Sequence, residues 1–130
     1  FSYLEDAKIK NILGNVPVEN ISFLKSPDLK VGDPRIVSNK LAITKLVAHY
    51  LMNEKDKKQL PINDVCRFHL GNGAIIDDII INANVSEVGL NRSFGVMVNY
   101  LYELKNIEKN HEEYINNKTI IISDKLKKII

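Results

Sequence analysis

The chain has 130 residues, 45% of them hydrophobic and 26% charged, the balance of an ordinary globular domain with a core of its own. Its net charge is only +2, and its lysines are spread rather than gathered in a stripe, so nucleic acid is a poor candidate partner. No apolar run approaches the roughly 20 residues of a membrane-spanning helix. The single cysteine, Cys66, excludes an intrachain disulfide and suits a reducing compartment.

In chain order, residues 4–13 have helical character and stop at Gly14, a residue type common just past a helix end. The opening FSYLEDAKIK has neither Met nor a charged-then-apolar leader, as expected of a piece that starts within a domain or of a processed product. The stretch 15–32 holds Pro17 and Pro27, with room for a short helix over 18–25. Asp33-Pro34 is a helix start, with Asp as the cap and Pro in the first turn. The pattern then predicts one helix to about Lys55, with Val37, Leu41, Leu46, Tyr50 and Leu51 near one face. NEKDKKQLP reads as a solvated exit loop closed by Pro61.

Residues 65–70 read as extended or loop, and Asn72-Gly73 as a tight turn. AIIDDIIINA, 74–83, reads as a strand in which Asp77 and Asp78 face opposite sides. NVSEVGLNRS is a connection. Residues 94–115 read as one long helix or two short ones, with Phe94, Val98, Leu101 and Leu104 as the apolar stripe. KTIII, 118–122, is a short strand, and Ser123-Asp124 caps a last helix. The fold class is therefore mixed α/β, with too few strands for a complete doubly wound sheet.

Few residues promise chemistry. Three histidines and one cysteine give no zinc-like spacing, and HEEYI lacks the second histidine of a zincin helix. GNGA lacks the glycine spacing and Lys-Ser/Thr ending of a phosphate loop. Asp77 and Asp78 diverge in a strand and cannot serve one substrate as a carboxylate pair. Glu112 and Glu113 read as a solvated helix face. The Asn-x-Ser/Thr triplets at Asn20, Asn84, Asn91 and Asn117 are expected by chance in so asparagine-rich a chain.

His69, in CRFHLGNGAII, admits two readings. It is a hairpin-corner histidine bonded to nearby backbone, or an imidazole anchored by Phe68 and Leu70 and presented beside glycines that let a ligand approach closely. Tyr100 and Tyr102, two apart on a predicted helix, would point in different directions: either one to the core and one toward a cleft, or both into packing with their hydroxyls satisfied. Asn99 is weaker by itself.

Taken together, these motifs resemble the C-terminal part of the malonyl-CoA decarboxylase family. The chain has Phe68-His69-Leu70, Asn72-Gly73-Ala74, Ser86 and Gly89, Gly95 and Met97, Asn99-Tyr100 and Tyr102, then Asn110-His111-Glu112 and Tyr114. Upstream, LAITKLVAHYLMNEK is similar to a family helix, so the resemblance covers at least 35–130. It implies that 1–130 is the C-terminal portion of an acetyltransferase-like (GNAT-like) catalytic domain. That domain converts malonyl-CoA to acetyl-CoA and carbon dioxide without metal or prosthetic group, CoA being part of the substrate.

The resemblance implies His69 and Tyr102 as catalytic residues and Asn72, Gly73 and Asn99 at the substrate. The implied partners are malonyl-CoA and the upstream part of the same enzyme, and a homo-oligomer stays open. The compartment would be the cytoplasm in a bacterium and the mitochondrion in a eukaryote, although LKKII carries no peroxisomal or ER-retention tail.

The chain departs from the family in three ways. The serine segment and the glycine-bearing CoA loop are not found here. Ile80-Ile81 and Asn84 stand where members usually have Asn-Trp and Asp. Arg92 stands where many have Gln. By itself the chain would hold the histidine half of a site and be nearly inactive. The other readings are an acyl-CoA-binding acetyltransferase-like domain without this reaction and a non-catalytic interaction module.

Overall fold

The computed structural model describes residues 6–14, 19, 21–25, 33–81 and 96–130. The expected connection over 84–93 lies outside them, as do Ser86, Gly89, Phe94 and Gly95. The chain divides into two units, one of residues 1–48 and 79–97, the other of residues 49–78 and 98–130.

In the first unit, α1 spans Asp6–Leu13 and buries Ile9 and Leu13, one turn apart on one face. It ends where the sequence predicts. Gly14 takes φ 64°, and its N–H closes on the Lys10 carbonyl at 3.0 Å. Where the helix expected over 18–25 falls on described residues, it is a 3-10 turn at Ser22–Lys25, which buries Phe23 and Leu24. Asp33 caps α2, Pro34–Ser38, by accepting the Arg35 N–H at 2.9 Å, with Pro34 in the first turn as predicted.

The single helix expected after Pro34 is two. Asn39, at φ −110°, interrupts it and returns both its N–H and its side-chain amide to the Arg35 carbonyl. Beyond it α3 runs over Lys40–Asn53. The break rotates the inward face. Ile36, Ile43 and Leu46 are buried, whereas Val37 and Leu41 are more than half exposed. Those two are removed from the predicted stripe.

The second unit holds the exit loop. It is less open than its composition suggests, because Asp56 accepts the N–H groups of Lys58 and Leu60, and Lys55 pairs with Pro61. The segment expected as extended or loop is instead a helix, α4, Asp64–Gly71. A strand follows, as predicted: β1, Ile75–Ile80.

The helix expected from 94 onward begins as a second strand, β2, Met97–Leu101, paired with β1. Leu101 and Leu104 are exposed, Leu104 almost wholly, so the predicted apolar stripe does not form. Helix follows only in α5, Ile107–Asn117, entered through a 3-10 turn at Leu104–Asn106. The strand expected at 118–122 contributes a single parallel bridge, Ile122 to Ile76. Ser123 then caps α6, Asp124–Ile129, as predicted, by accepting the Leu126 N–H.

The core of this unit includes Cys66 and Leu70 from α4, Ile76 from β1, Tyr114 from α5, and Leu126 from α6. The described residues are thus mixed α/β, with six α-helices and one two-stranded sheet among them.

Candidate active site

The site is built on the last turn of α4. Asn63 starts this helix by accepting the Cys66 N–H at 2.9 Å, and Asp64 favours its first turn. Cys66 and Leu70, four residues apart, face inward, while Val65 and Phe68 face out. His69 lies between these faces and is half-buried.

The turn read from Asn72-Gly73 is a helix cap rather than a hairpin. Gly73 takes φ 89°. Its N–H reaches the Leu70 carbonyl at 3.0 Å, and the Ala74 N–H reaches the His69 carbonyl at 3.1 Å. This is the paired bonding of a Schellman end. His69 is therefore held at a rigid helix terminus, and the hairpin-corner placement is corrected.

Two contacts from α5 lock that terminus. The buried Asn110 donates Nδ2–H to the Gly73 carbonyl at 3.2 Å, and His111 meets the Gly71 carbonyl through Nδ1 at 2.6 Å. A carbonyl can only accept, so the proton of this bond sits on His111 Nδ1. A Cβ on Gly73 would fall on the Ile107 carbonyl oxygen and lie 2.8 Å from the Ile107 Cγ2. Only glycine lets α4 and α5 approach this closely.

Tyr100 in β2 and Tyr102, one residue past its end, supply two of the rings beside His69. The tyrosines were expected to diverge on a helix, but strand periodicity of two brings them to one side. The Tyr102 hydroxyl lies 2.6 Å from His69 Nδ1. The Tyr100 ring stacks on the imidazole, with centroids 4.3 Å apart and planes 19° apart. Phe68 adds an edge contact at 5.2 Å. Among the described residues no hydrogen bond reaches His69 Nε2. When Tyr102 donates to Nδ1, the neutral ring carries its proton on Nε2, which is then a donor.

Behind the stack the surroundings favour neutral groups. Burial pushes the Tyr100 phenol far up, and the neighbouring Cys66 raises it further. Burial likewise raises the Cys66 thiol, against smaller opposing effects of Tyr100 and of Lys55. Desolvation lowers the Lys55 ammonium, opposed by Cys66 and Asp56. The imidazole thus backs onto a low-dielectric, uncharged phenol and thiol.

Of the residues singled out in the sequence, His69 and Tyr102 come into direct contact. Asn72 is exposed, caps α4 and donates its side-chain amide to the Phe68 carbonyl at 2.9 Å. Gly73 is buried with both backbone groups bonded. Asn99 is exposed and donates to Asp77 at 3.0 Å. Asp77 and Asp78 meet one cation, Lys125, at 3.3 and 3.7 Å. Sequence reasoning missed Tyr100 and Cys66 as neighbours of His69. The alternation Val98, Tyr100, Tyr102 was the available signal. Among the described residues no three of His, Cys, Asp and Glu gather so as to hold a metal ion. Nor is any helix there long and apolar enough to cross a membrane.

Comparison with known proteins gives one consistent family. Residues 3–130 match the family model described as the malonyl-CoA decarboxylase C-terminal domain. The chain is 31% identical over its whole length to the mitochondrial malonyl-CoA decarboxylase of Mus musculus, of which it covers 26%. It is 36% identical over 88 residues to that of Rattus norvegicus, covering 68% of this chain and 18% of the rat protein.

The crystal structure of malonyl-CoA decarboxylase from Rhodopseudomonas palustris superposes with a TM-score of 0.77 at 32% identity, over 85% of this chain and 25% of that one. The enzyme from Agrobacterium vitis gives 0.76 at 28% identity, over 95% of this chain and 31% of that one. The chain thus spans about a quarter of the length of the curated mouse relative. Whole-length agreement in sequence together with agreement in fold establishes that this chain belongs to the malonyl-CoA decarboxylase family.

Proposed function

We propose that this chain supplies the histidine side of an active site that converts malonyl-CoA to acetyl-CoA and carbon dioxide. The remaining groups, including a serine and the CoA-binding loop, come from the parts of the family protein that these residues do not span. In this reading 1–130 is the C-terminal portion of a GNAT-like catalytic domain. The observation that carries it is the His69–Tyr102 pair, which fixes Nδ1 at 2.6 Å and leaves Nε2 without a hydrogen bond among the described residues.

The chemistry suits such a group. The bond between the carboxylate carbon and the α-carbon breaks, its electron pair passes into the thioester as an enolate, and carbon dioxide leaves. A donor at the thioester oxygen stabilises the charge that develops there. A proton must then reach the α-carbon from a general acid. The neutral His69 ring serves as the donor through Nε2–H, with Tyr102 holding that tautomer, or the imidazolium form, whose Nδ1–H donates to the Tyr102 oxygen, serves as the proton source.

Asn72 and Asn99 meet the substrate through the polar groups left over by their internal bonds, and Gly73 acts through conformation. CoA enters as part of the substrate, and no further cofactor is invoked. The compartment is mitochondrial for a eukaryotic source and cytoplasmic for a bacterial one. The test is release of carbon dioxide from malonyl-CoA by the intact gene product. His69→Ala should abolish turnover and leave the circular dichroism spectrum unchanged, and wild-type turnover in that variant rejects the reading. Binding of acyl-CoA by the wild type without release would indicate a binding domain instead.

A further inference from the structure

We propose that Tyr100 is a positioning residue for His69, its ring fixing the plane in which Nε2 is presented. The inference rests on the reading of His69 as the group that meets the substrate.

A histidine ring turns about a broad, roughly two-fold χ2 torsion, so one hydrogen bond at Nδ1 leaves it free to swing about that atom. The Tyr102 hydroxyl supplies that one point, and the rings of Tyr102 and Phe68 add only edge contacts at 5.8 and 5.2 Å. The face of Tyr100, 4.3 Å away and tilted by 19°, is the one stacked contact among them and sets the plane of the ring. Tyr100 can do this because it is itself held. It sits in β2, half-buried, near the wholly buried Cys66. Cys66 and His69 are three residues apart on α4, so one helical turn carries both the imidazole and a buried neighbour of the ring that stacks on it. The hydroxyl is secondary in this arrangement, and the aromatic face is the working part.

Tyr100→Leu and Tyr100→Phe in the intact gene product separate the two. Tyr100→Leu should lower kcat about 10- to 100-fold, the scale of a misplaced catalytic group, with KM changed by less than about threefold. Tyr100→Phe, which keeps the face, should retain kcat within about threefold of wild type. Near-wild-type kcat in Tyr100→Leu, beside an inactive His69→Ala, overturns the positioning role and leaves the His69 reading standing. Full activity in His69→Ala removes both.

Nuclear magnetic resonance of the His69 ring protons tests the stack without reference to activity. In wild type and Tyr100→Phe they should be displaced upfield by the neighbouring ring, and in Tyr100→Leu they should return toward ordinary histidine positions. If Tyr100→Leu does not fold, the wild-type and Tyr100→Phe spectra decide the matter, because undisplaced His69 resonances overturn the proposal.

Discussion

Gly73→Ala should separate α4 from α5 and loosen the terminus that carries His69. Two costs combine. At φ 89° the residue sits in left-handed space, which disfavours alanine by about 1–2 kcal/mol. The new Cβ would also meet the Ile107 carbonyl oxygen and approach the Ile107 Cγ2 to 2.8 Å, an overpacking that typically costs about 1–3 kcal/mol. The stiffer unfolded chain returns about 0.4–1 kcal/mol. The expected net loss is about 1–4.5 kcal/mol.

Gly14 supplies the internal control. It has φ 64°, and a methyl group there would meet nothing within 4 Å. Gly14→Ala should therefore lose at most about 1.5 kcal/mol, the conformational part alone. Amide hydrogen exchange in α4 and α5 reads the first substitution, and exchange in α1 reads the second, so separate opening of the two units does not confuse them. A Gly73→Ala loss no larger than that of Gly14→Ala would refute the close approach on which the site geometry depends.

Asn110→Ala strands the buried Gly73 carbonyl and should cost about 1–3 kcal/mol in urea unfolding, with an unchanged m-value. Ser123→Ala removes the cap of α6 and its bond to the Asp77 carbonyl. It should cost about 0.5–2 kcal/mol, read as earlier loss of exchange protection in α6. Tyr102→Phe should lower kcat about two- to tenfold with KM little changed, the kinetic equivalent of one net hydrogen bond of about 0.5–1.5 kcal/mol.

Backbone N–H bonds from Leu60 and Lys58, aided by Arg67, hold the Asp56 carboxyl below its ordinary range. Its folded pKa is depressed, so its stabilising effect is present above the unfolded value and is lost as pH falls through the folded one. Acid titration of stability should therefore show a smaller change in Asp56→Asn than in wild type over that window. An identical acid profile would contradict the Asp56 bonds.

Much of the local punctuation was legible because it depends on near neighbours in the chain. Asp33-Pro34 starts a helix, Gly14 ends one, and Ser123 caps another, each through bonds that close within four residues. The β-branched run at Ile75–Ile80 specified a strand for the same reason. The ordered motifs around His69 identified the family. The apolar residues of VCRFHL were too few to show a helical period, and the segment read as extended. Its helical state depends on Cys66 and Leu70 finding a core, with α5 closing over Gly73. Residues 97–101 have side chains acceptable to either state, and pairing with β1 made them a strand.

That pairing changed the direction of two side chains. On a helix Tyr100 and Tyr102 diverge, whereas on a strand they converge on one imidazole. The caps, the first strand and the residue types of the site were written in the order of amino acids alone. Which of those residues meet was a matter for the folded chain, because that choice depends on hydrogen-bond partners and buried surface supplied from more than 30 positions away.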